Sequence, residues 1–376
     1  MTYFDHAATT PMHPKVIEVM TNQMKTTFGN PSSIHQYGRQ AHEQLEEARQ
    51  VIASSINATP NDIVFTSGGT EGDNTAILQT AFARQSKGKH IITTQVEHPA
   101  VLETMRFLET QGFDVTYLPV NEKGELFSHQ VKDALREDTI LVSIMSANNE
   151  IGTIYPIKEI GTILKDHQAY FHTDAVQAYG KYAIDVVDLG VDLLSISAHK
   201  INGPKGVGFL YQRVNLPTRF YGGEQENKRR AGTENLISIL GMAEAVRLVM
   251  EHDLDEQART YAAFALSMMQ QLEHANVTYQ MNGSDKRLSH VLNLSFPGVA
   301  NDLLLMHLDL AGFAISTGSA CTAGTVHPSH VLEAMYGKDH PLIASSIRIS
   351  FGFENTQSEV DRFTKVLIQA INRLKK

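Results

Sequence analysis

The sequence predicts an α/β fold in which a mostly parallel sheet lies between helices, accompanied by a smaller α+β domain. Short β-branched runs alternate with longer helical patterns from about residue 60 to 211, as strand–helix–strand crossovers require. Residues 235 to 275 then read as two long helices, and after Asn276 the chain returns to short strands and helices. The 376 residues are 42% hydrophobic and 19% charged, which is enough apolar sequence to fill the core of one large or two ordinary domains.

The expected strands are 63–66, 90–94, 115–118, 140–144, 170–173, 193–197 and 207–211, with helical spacing at 71–84, 99–111 and 156–167 between them. Strand and helix in alternation imply crossovers and a mostly parallel sheet covered on both faces. The last helix is marked by a capping box, Thr356-Gln357-Ser358-Glu359, and by Val360, Phe363, Leu367, Ala370 and Leu374 on one face. No repeat of 20 to 50 residues is visible, which sets solenoids and propellers aside. The expected division is a large domain over 14–255 and a small one built from 1–13 and 256–376, which carries a Gly/Ser/Thr-rich loop at about 316–330.

Charge and cysteine content narrow the function classes. A formal charge of −9 opposes broad nucleic-acid or anionic-membrane binding, which needs stripes of Lys and Arg. The single cysteine, Cys321, rules out an intrachain disulfide framework and a Cys-rich zinc site. The N-terminal stretch has no secretory or transit pattern, and no segment approaches eighteen uncharged apolar residues. A cytoplasmic protein without direct nucleic-acid or membrane partners is expected.

Four expected strand ends carry chemistry. The strand ending at Ser197 delivers Ala198, His199 and Lys200 to the carboxyl edge of the sheet, where open α/β folds bind ligands. A lysine buried there can form a Schiff base; one in a solvated turn cannot. The strand over 170–173 brings Asp174 and then Gln177 to the same rim. A carboxylate beside a lysine suits pyridoxal phosphate, whose ring nitrogen needs an anion to stay protonated; a divalent-metal pair of His172 and Asp174 is the weaker rival. The strand over 63–66 runs through Ser67-Gly68-Gly69-Thr70 into a helix. Free N–H groups and the helix dipole there make a cup for a single phosphate, with neither a dinucleotide fingerprint nor a Walker loop present. His98, before Pro99, follows a fourth strand and can either move protons over a cofactor or simply cap a helix.

Two further residues stand apart. Cys321 lies among small residues in Gly318-Ser319-Ala320-Cys321-Thr322-Ala323-Gly324, a setting that favours a reactive thiol over a packed one. Arg348 alternates with Ile347 and Ile349 on an apolar strand, so it either forms a structural ion pair or grips a substrate carboxylate in two-point fashion.

Taken together, these motifs resemble the cysteine desulfurases, pyridoxal-phosphate enzymes of the class V aminotransferase family, in their long-loop group. The resemblance runs from Tyr3-Phe4-Asp5-His6-Ala7-Ala8-Thr9-Thr10-Pro11 through Gly29-Asn30-Pro31-Ser32-Ser33, Ser67-Gly68-Gly69-Thr70-Glu71, Glu97-His98 and Asn148-Asn149-Glu150-Ile151-Gly152. It continues through His172-Thr173-Asp174-Ala175-Val176-Gln177, Ser197-Ala198-His199-Lys200, Arg230-Ala231-Gly232-Thr233 and Gly318-Ser319-Ala320-Cys321-Thr322. It implies the pyridoxal-phosphate type I fold and a homodimer. Lys200 would be the Schiff-base lysine, Asp174 would face the pyridine nitrogen, and Gln177 the ring hydroxyl. Gly69, Thr70, Ser197 and His199 would hold the phosphate, joined by Thr233 from the other subunit. Asn149 would lie near the ring, with His98 stacked over it as a proton carrier, and Arg348 with Asn149 would hold the substrate carboxylate. Cys321 would be the nucleophile.

The implied reaction converts L-cysteine to L-alanine and leaves a persulfide on Cys321, for a protein acceptor such as an iron–sulfur scaffold or a tRNA-thiolating enzyme. No metal is implied. Position 6 is His where the family usually has Asn. The rivals are a selenocysteine lyase, another pyridoxal-phosphate lyase or aminotransferase, and a non-catalytic sulfur-transfer partner that kept the fold.

Overall fold

The computed structural model describes residues 1–317, 321–322, 325–326 and 328–375; for 321–322 and 325–326 it describes strand pairing only. In chain order the first half comprises β1 (Thr2–Tyr3), α1 (Pro14–Thr26), α2 (Gln36–Ser54), β2 (Ile63–Thr66), α3 (Gly69–Arg84), β3 (His90–Thr94), α4 (Pro99–Thr110), β4 (Asp114–Leu118), α5 (Ser128–Ala134), β5 (Thr139–Ser143) and α6 (Ile157–Leu164). The next elements are β6 (Tyr170–Asp174), α7 (Val186–Leu189), β7 (Leu193–Ser197), β8 (Gly208–Gln212), α8 (Leu236–Glu251), α9 (Leu254–His274), β9 (Gln280–Asn282) and β10 (Val291–Ser295). The chain ends with α10 (Asn301–Leu310), β11 (Phe313–Ala314), β12 (Cys321–Thr322), β13 (Thr325–Val326), α11 (His330–Tyr336), β14 (Ser346–Ser350) and α12 (Gln357–Leu374).

Seven strands form the central sheet in the order β2-β8-β7-β6-β5-β3-β4. From β7 to β4 every neighbour is parallel, and β8 alone runs against the rest, paired antiparallel to both β2 and β7. The reversal has a local cause. A parallel crossover needs a dozen or more residues, and only 198–207 separate β7 from β8. This short link also carries Lys200. The seven expected strands are all present, with boundaries shifted by at most one residue.

Because β2, β3, β5, β6 and β7 point the same way, the segments after them open on one rim. The strands are buried along almost their whole length, as a parallel sheet covered on both faces requires. One core lies between the sheet and its helices, with Ile92, Val142, Phe171, Leu194, Ile196 and Phe209 at its centre. A second gathers Phe4, Phe264, Leu294, Ile349, Phe363 and Leu367 around the three-stranded sheet β14-β10-β9 and the helices α9 and α12. The capping box of α12 forms as its sequence predicted: Thr356 Oγ1 accepts from the Glu359 N–H, and the Glu359 carboxylate accepts from the Thr356 N–H at 3.0 Å.

The N-terminal residues join the second core to the rim. β1 pairs in parallel with β11, and the chain then crosses to the β7–β8 link, where the Thr10 N–H donates to the His199 carbonyl (2.9 Å) and the His13 N–H to that of Asn202 (2.9 Å). Among the described residues no helix is long and apolar enough to cross a membrane.

Candidate active site

The rim opens into a cleft of about 1100 Å³. Gly69, Thr70, His98, Asn149, Asp174, Gln177, Ser197, His199, Lys200 and Arg348 all line it, although they come from segments up to 279 positions apart (348 − 69). Of the remaining expected residues, Thr233 is exposed and does not line the cleft within this chain. Cys321 lies in the β12–β13 hairpin, with its backbone opposite Val326, and its side chain falls outside the described residues. Residues 318–320, 323–324 and 327 of the 316–330 loop lie outside them altogether.

The phosphate cup is built from backbone. β2 ends at Thr66, and Gly68, with φ +143°, turns the chain so that α3 starts at Gly69. A Cβ at Gly68 would lie 3.3 Å from Ser197 Oγ, and one at Gly69 only 2.7 Å from Val176 Cγ2. Glycine therefore lets the helix start sit against the ends of β6 and β7. The first N–H groups of any helix lack carbonyl partners within it, and Gly69, Thr70 and Glu71 at the start of α3 line the cleft with Ser197 and His199. Burial lowers His199 to about 4, with Lys200 adding to the effect, and its Nδ1 lies 3.0 Å from Thr9 Oγ1. The imidazole is therefore neutral at pH 7.

Lys200 is held by carbonyls rather than by an acid. Its Nζ donates to the Ala7 oxygen at 2.5 Å and to the Ala8 oxygen at 2.8 Å. Burial brings this amine down to about 7, with the nearby Arg348 charge pushing the same way and Asp5 and Asp174 opposing. An ordinary lysine is neutral only above about pH 10; this one offers a free amine near neutrality. Acylation of Lys200 in the cofactor-free protein, followed by peptide mass spectrometry, is expected to reach half its maximal rate near pH 7. A rate still climbing at pH 9 would show an ordinary lysine.

Asp174 ends β6 with its carboxylate buried, and Oδ1 accepts from the Val176 N–H at 2.9 Å. Burial raises its pKa, while His98 and Lys200 pull it down. Behind it Asp73 is buried at 1% exposure, and burial together with the Asp174 charge pushes that carboxyl well above its usual range. His172 lies between the strands with Nδ1 2.8 Å from Ser143 Oγ and Nε2 3.0 Å from Ser195 Oγ. Both ring nitrogens are engaged, which opposes the metal pair with Asp174. Among the described residues no cluster of three or more His, Cys, Asp or Glu could hold a metal ion. Gln177 donates through Nε2 to the Ala7 carbonyl at 2.9 Å, the same oxygen that Lys200 uses.

His98 both caps a helix and faces the cleft. Its Nδ1 accepts from the Ala100 N–H at 3.1 Å, at the start of α4. Burial holds its pKa below the ordinary value; Lys200 and His330 act in the same direction and Asp174 against. The ring is therefore mostly neutral at pH 7, able to accept a proton at Nε2. Beneath it Glu97 is fully buried and raised to about 8 by burial, with Thr94 Oγ1 and the Met145 N–H donating to it. The Glu97 carbonyl lies 2.9 Å from His330 Nε2.

Arg348 reaches the cleft from β14. Nη1 donates to the Asn149 carbonyl at 2.9 Å and Nη2 to Asp5 Oδ1 at 2.8 Å. Its Nε is buried without a hydrogen-bond partner among the described residues. Such an atom is costly unless something occupies it, and a carboxylate would. Asp5, Glu97, Asp73 and His330 had no assigned role in the sequence reading. Asp5 and Glu97 lie inside quoted motifs, and only their burial and contacts single them out.

The donor set fits pyridoxal phosphate on two counts. A buried Asp174 lacks the cation that a protonated ring nitrogen would provide. A glycine-lined helix start, the Lys200 amine and the Asp174 carboxylate all face one cleft.

A mostly parallel sheet with a Schiff-base-competent lysine, an acid and a phosphate cup at one rim defines a pyridoxal-phosphate enzyme of fold type I. The chain belongs to the class-V aminotransferase family, whose model, described as "Aminotransferase class-V", matches residues 2–363. It is 47% identical over 376 residues to "Cysteine desulfurase IscS" of Dictyoglomus turgidum (strain DSM 6724 / Z-1310), a match covering 99% of this chain and 95% of that one. Among solved structures, "NIFS-LIKE PROTEIN" superposes with a TM-score of 0.92 at 36% identity, covering 99% of both chains. "SspA in complex with cysteine" superposes at 0.82 with 37% identity, covering 93% of this chain and 99% of that one.

Proposed function

We propose that this protein is a cysteine desulfurase that converts L-cysteine to L-alanine and leaves the sulfur as a persulfide on Cys321. The observation that carries the reading is the meeting of Lys200, Asp174 and His98 with Arg348, whose buried Nε is unpartnered, in one cleft. The named relatives and the cysteine-bound neighbour support it.

The bound cofactor supplies an electron sink that lets bonds at the amino-acid α-carbon ionise. Lys200 is the residue that holds the cofactor, and its free amine, neutral near pH 7, takes the Cα proton. Asp174 would pair with a protonated ring nitrogen of the cofactor, and Gln177 would serve its ring hydroxyl. Gly69, Thr70, Ser197 and His199 would hold the phosphate, with Thr233 contributed by the second copy in a homodimer. Arg348 and Asn149 orient the substrate carboxylate. His98, neutral at Nε2, carries protons between the substrate thiol and the product carbon. Cys321 as thiolate attacks the substrate sulfur, so an S–S bond forms as the Cβ–S bond breaks and the released carbon takes a proton. Cysteine plus thiol thus becomes alanine plus persulfide, in balance.

The finer reading is a large cofactor-binding domain over 14–255 and a small domain from 1–13 and 256–376; the second core draws only on the latter segments, while the first also takes in Leu288, Val291, Val331, Leu332 and Met335. The persulfide passes in the cytoplasm to a protein acceptor, either an iron–sulfur scaffold or a tRNA-thiolating enzyme. The test is mass spectrometry of the purified protein after exposure to L-cysteine, with alanine assayed alongside. The expected result is a single added sulfur, 32 Da by its atomic mass, on the peptide holding Cys321, with alanine released in step. Alanine or pyruvate without a persulfide would assign another lyase, and neither product would assign a non-catalytic partner.

A further inference from the structure

The polar stretch from Gly222 to Asn235 contains a backbone anomaly. Glu226, Asn227 and Lys228 have φ of +51°, +54° and +65°, three successive non-glycine residues in the left-handed region. L-residues visit that region as single residues and at a cost, and such strain persists only where the surroundings over-determine it. They do so here. Glu226 and Arg49 are 5% and 6% exposed and paired in two-point fashion, Nη1 to Oε2 at 2.7 Å and Nη2 to Oε1 at 2.8 Å. The Phe65 N–H also donates to Glu226 Oε2 at 2.9 Å, and Arg49 Nη1 to the Ile63 carbonyl at 3.0 Å. Arg229 ties the turn down again, through Nη1 to the Asn61 carbonyl at 2.5 Å and Nε to that of Glu226 at 3.0 Å.

Every one of these anchors is on β2, just before it, or on α2, and β2 is the strand that opens into the phosphate cup. The next residue, Arg230, grips the cup itself: Nε donates to Glu71 Oε1 at 3.0 Å, while Glu71 Oε2 accepts from the Ser67 N–H at 2.9 Å. Gly232 and the exposed Thr233 follow. A buried ion pair is weak evidence for stability, and its best-attested use is to enforce one arrangement over others.

We propose that Arg49 and Glu226 are positioning residues for the phosphate site, holding the left-handed turn at 226–228 so that Arg230 reaches Glu71 and Thr233 is presented to the phosphate bound by a second copy of this chain. The inference rests on the proposed role of Thr233. Within each subunit one tie then runs from the cup at Ser67–Glu71 through Arg230 to the residue that completes the neighbouring cup.

The test compares equilibrium binding of pyridoxal phosphate and of pyridoxal, which lacks the phosphate, to the full-length protein, alongside the melting temperature. Glu226→Gln is expected to weaken pyridoxal phosphate about tenfold and pyridoxal less than about threefold. Arg49→Lys keeps the charge but loses the two-point geometry, so it should show the same selectivity loss in smaller measure should Glu226→Gln not fold. Adding Lys228→Gly to Glu226→Gln should recover part of the affinity, because glycine takes a positive φ without being held there. Equal losses for both ligands, or a lower melting temperature with unchanged selectivity, would overturn the inference. Thr233→Ala separates it from the reading beneath. If that variant loses phosphate selectivity and Glu226→Gln does not, the inference alone fails; if Thr233→Ala loses nothing, both fail.

Discussion

Lys200→Ala is expected to give a folded, colourless protein whose alanine production from L-cysteine falls by at least about a thousandfold, within the range for removing a positioned acid–base group. The expectation comes from where the amine sits. Lys200 lines the cleft together with Asp174, and burial brings its amine to about 7. Lys205 also lines the cleft, but it follows Pro204 at the outer part of the link, so it does not replace an amine held by the Ala7 and Ala8 carbonyls. Removing Nζ leaves those two carbonyls to water, a change of about 1 kcal/mol in stability, too small to unfold the protein. The visible absorbance of the bound cofactor and the alanine assay read the result. A spectrum like that of the unaltered protein would sink the assignment of Lys200.

Cys321→Ala is expected to separate binding from sulfur transfer. Cofactor absorbance and melting temperature should match those of the unaltered protein, while persulfide and sulfide formation fall to background. Cys321 is the only cysteine in the chain, so no second thiol can take over the attack, and the alanine in its place carries no nucleophile. A structural cysteine would give the reverse pattern, a lowered melting temperature with turnover intact. Selenide release from selenocysteine by Cys321→Ala, with cysteine turnover lost in both proteins, would assign the selenocysteine lyase instead. Each of the two variants thus removes one atom of the proposed chemistry and spares the other.

The elements legible in the sequence are those set by local patterns. Strands such as 90–94 and 193–197 are short runs rich in β-branched or aliphatic residues, and their alternation with helical patterns is enough to recognise them. The α12 capping box is written in four adjacent residues. Lys200, Asp174, Thr70 and His98 stand out because each lies at a strand's carboxyl end or within four residues after it, and parallel strands bring such positions to one edge. The reversed β8 was not legible as such, because direction is set by the length of the 198–207 link rather than by the composition of the strand.

Other features required distance to be folded away. Asp5 and Arg348 are 343 positions apart and form an ion pair; Arg49 and Glu226 are separated by 177 and share a bidentate bond. Glu97 looks like any acid before a helix until Met145 and Thr94 are seen to bury it. His6, where the family usually has Asn, is buried at 4% exposure against Gly352, where a Cβ would lie 2.1 Å from its ring. The sequence marks the substitution and the fold supplies the glycine that makes room for it.

The amino-acid sequence by itself determined the α/β class, the strands of the central sheet, the family resemblance and the residues worth testing, because hydrophobic periodicity, caps and short motifs act over a few neighbouring positions. Only the tertiary structure decided which of those residues share a cleft, which carbonyls hold the Lys200 amine, and how far burial moves Lys200, His98 and Asp174 from their ordinary ionisation. Those quantities depend on desolvation and on charges contributed by residues hundreds of positions away, and no local pattern encodes them.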